Sequence, residues 1–408
     1  MAIHDRLIPH PSPEKFAYLV IEAMKQAGRE GPFTVLAERF AIQVGSGHST
    51  VMMNLNNVYQ EYLAAPEAER RRVLDRFVAG YTTPDAIDRP FEQVRHKLRP
   101  RVRERFWYEA VRLECELHKD PPPDIPFLEL APHLAVEVAV DLPAAIASVS
   151  HGQFTRWGVP FDEALRVARN NLQNVSGDAF QKLGPGIYRS SRGDNWDASR
   201  LYLPELIRRL DVRGRPVAAV PNRDTLIVTG TEDAAGLTKL AELTEQVLDE
   251  HPRPMTGMPV VLEGDQWRSF LPEKDHPHYR QFRLLYLRSV AGEYEGQGRL
   301  LTAIRDHQEQ SEYTYVGSME VAEEEGVVFS SWVWVEGVTT LAPKAERIGF
   351  VRMTEDWEPL EVLGIAEWDD VMAVVGDRFQ SMDHYPPRYR VEAGAFPNEV
   401  ELRKIGLA

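Results

Sequence analysis

The sequence from residue 131 to residue 270 alternates strand-like and helix-like patterns, with turn residues between them. A strand is predicted where apolar residues take every second position, and a helix where they recur every three or four positions. The strand pattern comprises Leu134, Val136, Val138 and Val140, and the helix pattern comprises Phe161, Leu165, Ala168 and Leu172. Such an alternation requires a sheet with amphipathic helices packed on it.

Two turns in this stretch predict how its strands pair. They are 221–224, between apolar runs at 217–220 and 225–228, and 264–265, between runs at 260–262 and 266–270. Turns of this composition join the antiparallel strands of a hairpin. The other predicted elements are a strand at 186–189, a helix that Asp197 caps and that runs through Leu201 to Leu210, and a helix at 234–248. Hairpins favour an α+β domain over a doubly wound one.

The segments on either side are less regular. Ser12 as N-cap and Pro13 in the first turn predict a helix that ends at Gly28. Further predicted elements are strands at 33–36, 40–44 and 51–55, and helices at 57–63 and from 66 to 80. Residues 84–118 give no clear pattern, and Pro100 is expected to interrupt any strand there. The prolines at 121–123 predict a break.

The last third is predicted to be rich in strands. One helix is expected at 294–307, followed by strands at 313–321, 327–335, 348–353 and 360–366. Trp332 and Trp334 are two residues apart in one strand, so both should point to the same face. We interpret them as core residues, because large aromatic side chains are usually buried.

Together these patterns predict an α+β fold with mixed, mainly antiparallel sheets and packed helices. A chain of 408 residues exceeds the usual size of a single hydrophobic core. We predict an N-terminal α+β domain at 1–120, a central α+β domain at 131–272 and a strand-rich acidic domain at 279–408.

Composition narrows the class of protein. The single cysteine, Cys115, excludes an internal disulfide, and residues 1–13 lack the apolar run of a signal peptide. We therefore expect a cytoplasmic protein with no membrane partner. The net charge is −15, and residues 273–408 hold 25 acidic against 14 basic side chains. That excess disfavours nucleic acid as a partner, since it would repel a phosphate backbone.

Several spaced segments resemble the YtpQ-like family of bacterial proteins, known as domain of unknown function 1444. They are Leu134 to Pro143, Trp157-Gly158 with Phe161 to Leu172, Gly193-Asp194-Asn195-Trp196-Asp197-Ala198-Ser199-Arg200, and Val217 to Val228. The resemblance extends over about residues 10–272 and leaves the C-terminal third unassigned. The resemblance implies a related fold, and it implies no substrate, cofactor or catalytic residue.

Two polar loops of the central region are candidate sites. Asp194, Asp197 and Arg200 could anchor a charged ligand, although a turn, a helix cap and a local ion pair account for the same residues. Asn222, Arg223 and Asp224 occupy a hairpin loop, where they could face a ligand or bond their own backbone. We favour the structural role for each loop. The two would form one polar site if they met in space.

A basic stripe is the third candidate. Its members recur at every second residue and are Arg95, Lys97, Arg99, Arg101, Arg103 and Arg105. On a strand all six would lie on one face and could follow phosphates, with the aromatic residues 106–108 available for stacking. We favour a solvated surface or an acidic protein segment as its partner, because the whole chain is acidic.

No sequence motif identifies an activity, a metal or a cofactor. Neither a phosphate-binding loop nor a dinucleotide fingerprint occurs, and the two histidines of Asp275-His276-Pro277-His278 lack further zinc ligands. Our leading hypothesis is a non-enzymatic binding or regulatory protein, which should expose an apolar or aromatic patch. The alternative is a hydrolase or other acid-base enzyme that uses the loop carboxylates, and the third is nucleic-acid binding through the basic stripe.

Overall fold

The computed structural model describes residues 10–37, 40–44, 51–82, 89–122, 124–142, 146–251, 254–307, 315–352 and 361–407. Contacts between residues divide the chain into two compact units. Unit 1 comprises Met1–Pro100 with Glu137–Val175, and unit 2 comprises Arg101–Val136 with Ser176–Ala408. The three-domain division stays a prediction.

The helices are α1 Pro13–Gln26, α2 Asn56–Ala64, α3 Glu67–Thr82, α4 Phe91–Val94, α5 Arg105–His118, α6 His151–Trp157, α7 Phe161–Asn174, α8 Pro204–Ile207, α9 Ala234–Glu250, α10 Tyr279–Asp306, α11 Trp368–Val375 and α12 Glu399–Ile405. The strands are β1 Phe33–Leu36, β2 Ala41–Val44, β3 Val51–Asn54, β4 Leu98–Glu104, β5 Phe127–Ala131, β6 Leu134–Asp141, β7 Ile146–Ser148, β8 Phe180–Gly184, β9 Ile187–Ser190, β10 Pro216–Asn222, β11 Thr225–Gly230, β12 Val260–Glu263, β13 Gln266–Ser269, β14 Tyr315–Val316, β15 Glu320–Glu324, β16 Val327–Val335, β17 Thr340–Pro343, β18 Arg347–Arg352, β19 Glu361–Glu367, β20 Gln380–Met382 and β21 Arg388–Val391.

Unit 1 begins as the sequence predicts. The Ser12 side chain accepts the N–H of Lys15 and caps α1, and Pro13 takes the first position of the helix. The apolar face of α1 packs with the antiparallel sheet β1-β2-β3 and with α3 into one core that includes Phe16, Ile42 and Leu74. The strands and helices predicted between residues 33 and 80 are confirmed, with α3 running two residues past Gly80.

Unit 2 contains a six-stranded sheet in the order β13-β12-β10-β11-β9-β8, and every neighbouring pair is antiparallel. Both predicted hairpins are confirmed, with Val217 opposite Thr229 and Val260 opposite Ser269. Helix α9 packs its apolar face on this sheet, where Leu240 joins the core cluster. The predicted α+β class is confirmed, because the sheets are mainly antiparallel and the helices pack on them.

The helix predicted after Asp197 is wrong. A 3₁₀ turn runs over Ala198–Tyr202, and only the short α8 follows. Pro204 explains the interruption, because it lacks an N–H and disfavours the helical conformation of the residue before it. Asp197 makes no side-chain cap bond to this turn, and its backbone is itself helical.

The helix predicted at 294–307 is far too short, because α10 spans 28 residues from Tyr279. Its N-cap residue, His278, makes no side-chain cap bond, so the sequence gives no signal for the start. Close packing holds the helix against α5. A Cβ added to Gly296 would lie 2.8 Å from the Phe106 ring, closer than carbon atoms pack in proteins.

Two four-stranded sheets follow in unit 2, ordered β15-β16-β18-β19 and β14-β17-β21-β20. Trp332 and Trp334 of β16 are each 1% exposed and stack with 6.2 Å between ring centroids, which confirms the predicted core position. In the part of the chain described above, no helix is long and apolar enough to cross a membrane.

Candidate functional site

The two predicted polar loops meet in the structure. The backbone N–H of Ala198 donates to the carbonyl of Arg223 at 3.0 Å. This bond links the 194–200 segment to the 222–224 turn, as a single polar site would require. Whether the two loops together bind a ligand stays a prediction.

The side chains of the first loop are largely engaged with one another. Arg200 is fully buried and donates to Asp194 Oδ1 at 3.0 Å, to Asp194 Oδ2 at 2.5 Å and to Asp197 Oδ1 at 3.1 Å. Asp197, also fully buried, accepts further bonds from the Ser190 hydroxyl and from the N–H groups of Arg192 and Gly193. These bonds fix the loop and leave Asp197 out of reach of solvent.

The second loop is held by its own side chains. Asn222 Oδ1 accepts the N–H of Asp224 at 2.9 Å, and Arg223 Nε donates to Asp224 Oδ2 at 3.2 Å. Asn222 is 3% exposed, whereas half of the Arg223 side chain is exposed. Arg223 is therefore the residue of this loop best placed to meet a partner.

The basic stripe does not lie on one strand. Arg95 and Lys97 are in a 3₁₀ turn, Arg105 begins α5, and the alternating residues of β4 are Arg99, Arg101 and Arg103. Pro100 does not interrupt β4, contrary to expectation, and is buried within it. The Arg103 guanidinium lies 4.0 Å from the centre of the Trp107 ring, and the stacking of a partner on the aromatic residues 106–108 stays a prediction.

A cavity of about 740 Å³ lies in unit 2. The first turns of α5, the start of β5 and the segment 383–387 supply most of its lining. The side chains that matter for its chemistry are Arg105, Trp107, Tyr108, Glu109, Arg112, Phe127, His384 and Tyr385. Sequence reasoning identified only Arg105 and the neighbouring aromatic residues, and assigned them to a basic stripe.

Three polar side chains form one cluster in the cavity wall. Glu109 Oε1 lies 2.8 Å from His384 Nδ1 and 2.9 Å from Arg112 Nη2, and Arg112 Nε donates to Glu109 Oε2 at 3.0 Å. Glu109 is buried and His384 nearly so, whereas two-fifths of the Arg112 side chain is exposed. A buried carboxylate with two such partners holds an imidazole in one orientation.

The charge state of Glu109 follows from its partners. Burial on its own would raise the pKa of the Glu109 carboxyl, but the hydrogen bonds from His384 and Arg112 and the positive charge of Arg112 outweigh it and lower the pKa below its usual value. Glu109 is consequently ionised at neutral pH and acts as a hydrogen-bond acceptor.

Aromatic rings form the apolar wall of the cavity. Tyr108 and Phe127 lie with 4.2 Å between ring centroids, and Trp107 packs edge-on against Tyr108 at 5.0 Å. Arg105 covers the Tyr385 ring at 4.3 Å, and the Tyr385 hydroxyl donates to the Pro132 carbonyl at 3.0 Å. Phe127 is 41% exposed, so an apolar surface is open to a ligand.

Two carboxyl groups, Glu293 and Glu104, have raised pKa values. Burial first, and the charge of Glu104 second, raise the pKa of Glu293 to about 8, although Arg105 opposes the shift. Burial likewise raises the pKa of Glu104. Among the residues that the structure describes, no group of three or more His, Cys, Asp or Glu side chains could hold a metal ion.

Sequence comparison finds relatives of unknown function. A UPF0354 protein from Listeria monocytogenes serotype 4b is 30% identical over 132 residues, which make up 31% of this chain and 49% of the relative. One from Halalkalibacterium halodurans is 26% identical over 135 residues, 32% of this chain and 51% of the relative. The chain thus spans about half the length of the curated relatives it matches. No family model and no solved structure matches it.

Proposed function

We propose that this protein is a non-enzymatic binding protein whose cavity in unit 2 takes a small aromatic molecule. The observation that carries the proposal is the cavity itself, with an aromatic wall beside a polar cluster of Glu109, Arg112 and His384. Its volume of about 740 Å³ falls within the usual range of small-molecule sites. Such sites combine apolar surface with a few fixed polar groups.

The details of the wall support an aromatic ligand. Tyr108 and Phe127 are already paired, with 30° between their planes, and a third ring can add to such a pair by offset stacking or by an edge contact. The stacked Arg105 and Tyr385 add a second planar surface to the lining. Planar surfaces of this kind suit a flat aromatic ligand.

The bonds within the 194–200 loop favour a binding function over the hydrolase hypothesis. A general base must reach the proton that it removes, and Asp197 is fully buried with its oxygens bonded to Ser190, Arg192 and Arg200. Arg200 and a backbone N–H outweigh burial and lower the pKa of Asp194, so this carboxyl would not donate a proton at neutral pH.

Filling the cavity should weaken ligand binding. Val111 lines the cavity from α5, and the Val111→Trp substitution would place an indole where the ligand ring should lie. With 4-methylanisole as a neutral aromatic probe, we expect wild-type protein to bind with a Kd below about 1 mM, within the ordinary efficiency of small ligands. The variant should bind at least ~10-fold more weakly by isothermal titration calorimetry.

The matched control is Val400→Trp, which makes the same change at an exposed position of α12. It should leave the affinity unchanged. Equal binding by wild type and Val111→Trp would mean that the probe lies elsewhere, and no binding by wild type would exclude an aromatic-ligand cavity.

We also infer that the chain belongs with the YtpQ-like proteins over about residues 10–272. The support is the set of spaced segments quoted above, together with the similarity to UPF0354 proteins. The single cysteine supports a cytoplasmic location for this binding function.

A further inference from the structure

We propose that the ligand of the cavity is a phenol, whose hydroxyl donates its hydrogen to Nε2 of His384. This inference rests on the proposed function, because it names the chemical class of ligand for the same cavity. It depends on three steps: the proton on His384, the free nitrogen of its ring, and the groups around that nitrogen.

The first step is the position of the proton on His384. Nδ1 lies 2.8 Å from Glu109 Oε1 and 3.0 Å from Arg112 Nη2, and the latter two atoms are 2.9 Å apart. A guanidinium can only donate, and an ionised carboxylate can only accept. Both nitrogens therefore donate to Glu109 Oε1, and the hydrogen of the neutral imidazole is on Nδ1.

The second step is that the other ring nitrogen of His384, Nε2, can accept a hydrogen bond. With its hydrogen on Nδ1, neutral His384 presents a lone pair at Nε2. Nε2 bonds to no residue that the structure describes, and His384 lines the cavity. A ligand hydroxyl would donate a hydrogen bond to this lone pair, whereas a ligand carboxylate would place its own lone pairs against it.

The third step concerns the oxygen of the ligand. Arg112 uses Nε and Nη2 to hold Glu109, and its Nη1 makes a longer contact of 3.4 Å with Glu116. Nη1 thus keeps an N–H for the oxygen of a ligand in the cavity. A phenol matches this pair of groups and the aromatic wall together, which an aliphatic alcohol does not.

Three probes of similar size test the inference, namely 4-cresol, 4-methylanisole and 4-methylbenzoate. We expect wild-type protein to bind 4-cresol about tenfold more tightly than 4-methylanisole, the effect of about one net hydrogen bond in a part-buried site. Calorimetry at neutral pH gives each affinity. Equal affinities for 4-cresol and 4-methylanisole would overturn the phenol assignment while leaving an aromatic site in place.

Stronger binding of 4-methylbenzoate than of 4-cresol would replace the phenol by an aromatic acid and would also overturn the inference. Failure of all three probes to bind would overturn the proposed function as well. These outcomes therefore separate the ligand class from the existence of the site.

Two variants test which residues cause the preference for 4-cresol. His384→Phe keeps a ring but loses Nε2, so it should abolish the preference for 4-cresol over 4-methylanisole, measured as the ratio of the two affinities in the same variant. Binding of both probes by the variant is the control for folding. Glu109 is a positioning residue, and Glu109→Gln should reduce the preference for 4-cresol severalfold, since an amide can bond either imidazole tautomer. A preference that survives His384→Phe would contradict the assignment.

Discussion

Replacing Arg200 by methionine is expected to destabilise unit 2 by about 3–5 kcal/mol, the usual cost of removing one member of a buried ion pair. Arg200 and Asp197 are both fully buried, and Arg200 also bonds Ser176 Oγ at 3.1 Å. Methionine would fill a similar volume but leave the Asp197 carboxylate without a cation. Adding Asp197→Asn should recover part of the loss, because it removes the uncompensated charge.

Guanidinium unfolding followed by tryptophan fluorescence measures this effect, since Trp196 is buried beside the network. Arg208→Met is the matched control. Its partner, Asp265, is 86% exposed, and a surface pair of this kind contributes less than about 1 kcal/mol. A loss at Arg200 no larger than the loss at Arg208 would show that the buried network does not stabilise the loops.

Replacing Glu293 by glutamine is expected to stabilise the protein at alkaline pH and to have little effect near pH 5. The pKa of Glu293 is raised to about 8 in the folded protein, by burial first and by Glu104 second. The folded state therefore holds this proton more tightly than the unfolded state, where the pKa is near its ordinary 4.5. The contribution of Glu293 to folding stability is therefore greatest below pH 4.5 and is lost as the pH rises to about 8.

Glutamine has the shape of the protonated side chain and no charge, so it avoids this loss. At pH 9 we expect Glu293→Gln to exceed wild type by about 2–4 kcal/mol, given about 1.4 kcal/mol for each unit of pKa shift. Denaturant unfolding at pH 5 and pH 9 tests this difference. Glu295→Gln, at an exposed position two residues further along α10, should show no such dependence. A gain at Glu293 that is equal at both pH values would contradict the raised pKa.

The sequence predicted the fold where local patterns determine it. Hairpin turns set the pairing of β10 with β11 and of β12 with β13, and a serine cap with a following proline set the start of α1. It failed where tertiary contacts decide. Helix α10 begins without a side-chain cap, and its first half is stabilised by burying Phe282 and Leu285 against the central sheet.

The candidate cavity could not be predicted from the sequence, because tertiary contacts form it as well. Tyr108, Glu109 and Arg112 come within one turn of α5, but their partner His384 is 275 residues away from Glu109. No local pattern marks a histidine that meets a carboxylate only after both segments have folded. The loops at 194–200 and 222–224, by contrast, carry turn residues that could be recognised directly.

A crystal structure with 4-iodophenol would test the central claim most directly, because iodine can be located by its anomalous scattering. We expect one strong iodine site in the cavity beside Tyr108 and Phe127, with the phenol oxygen about 3 Å from His384 Nε2. Iodine bound only outside this cavity, or a hydroxyl directed away from His384, would contradict it.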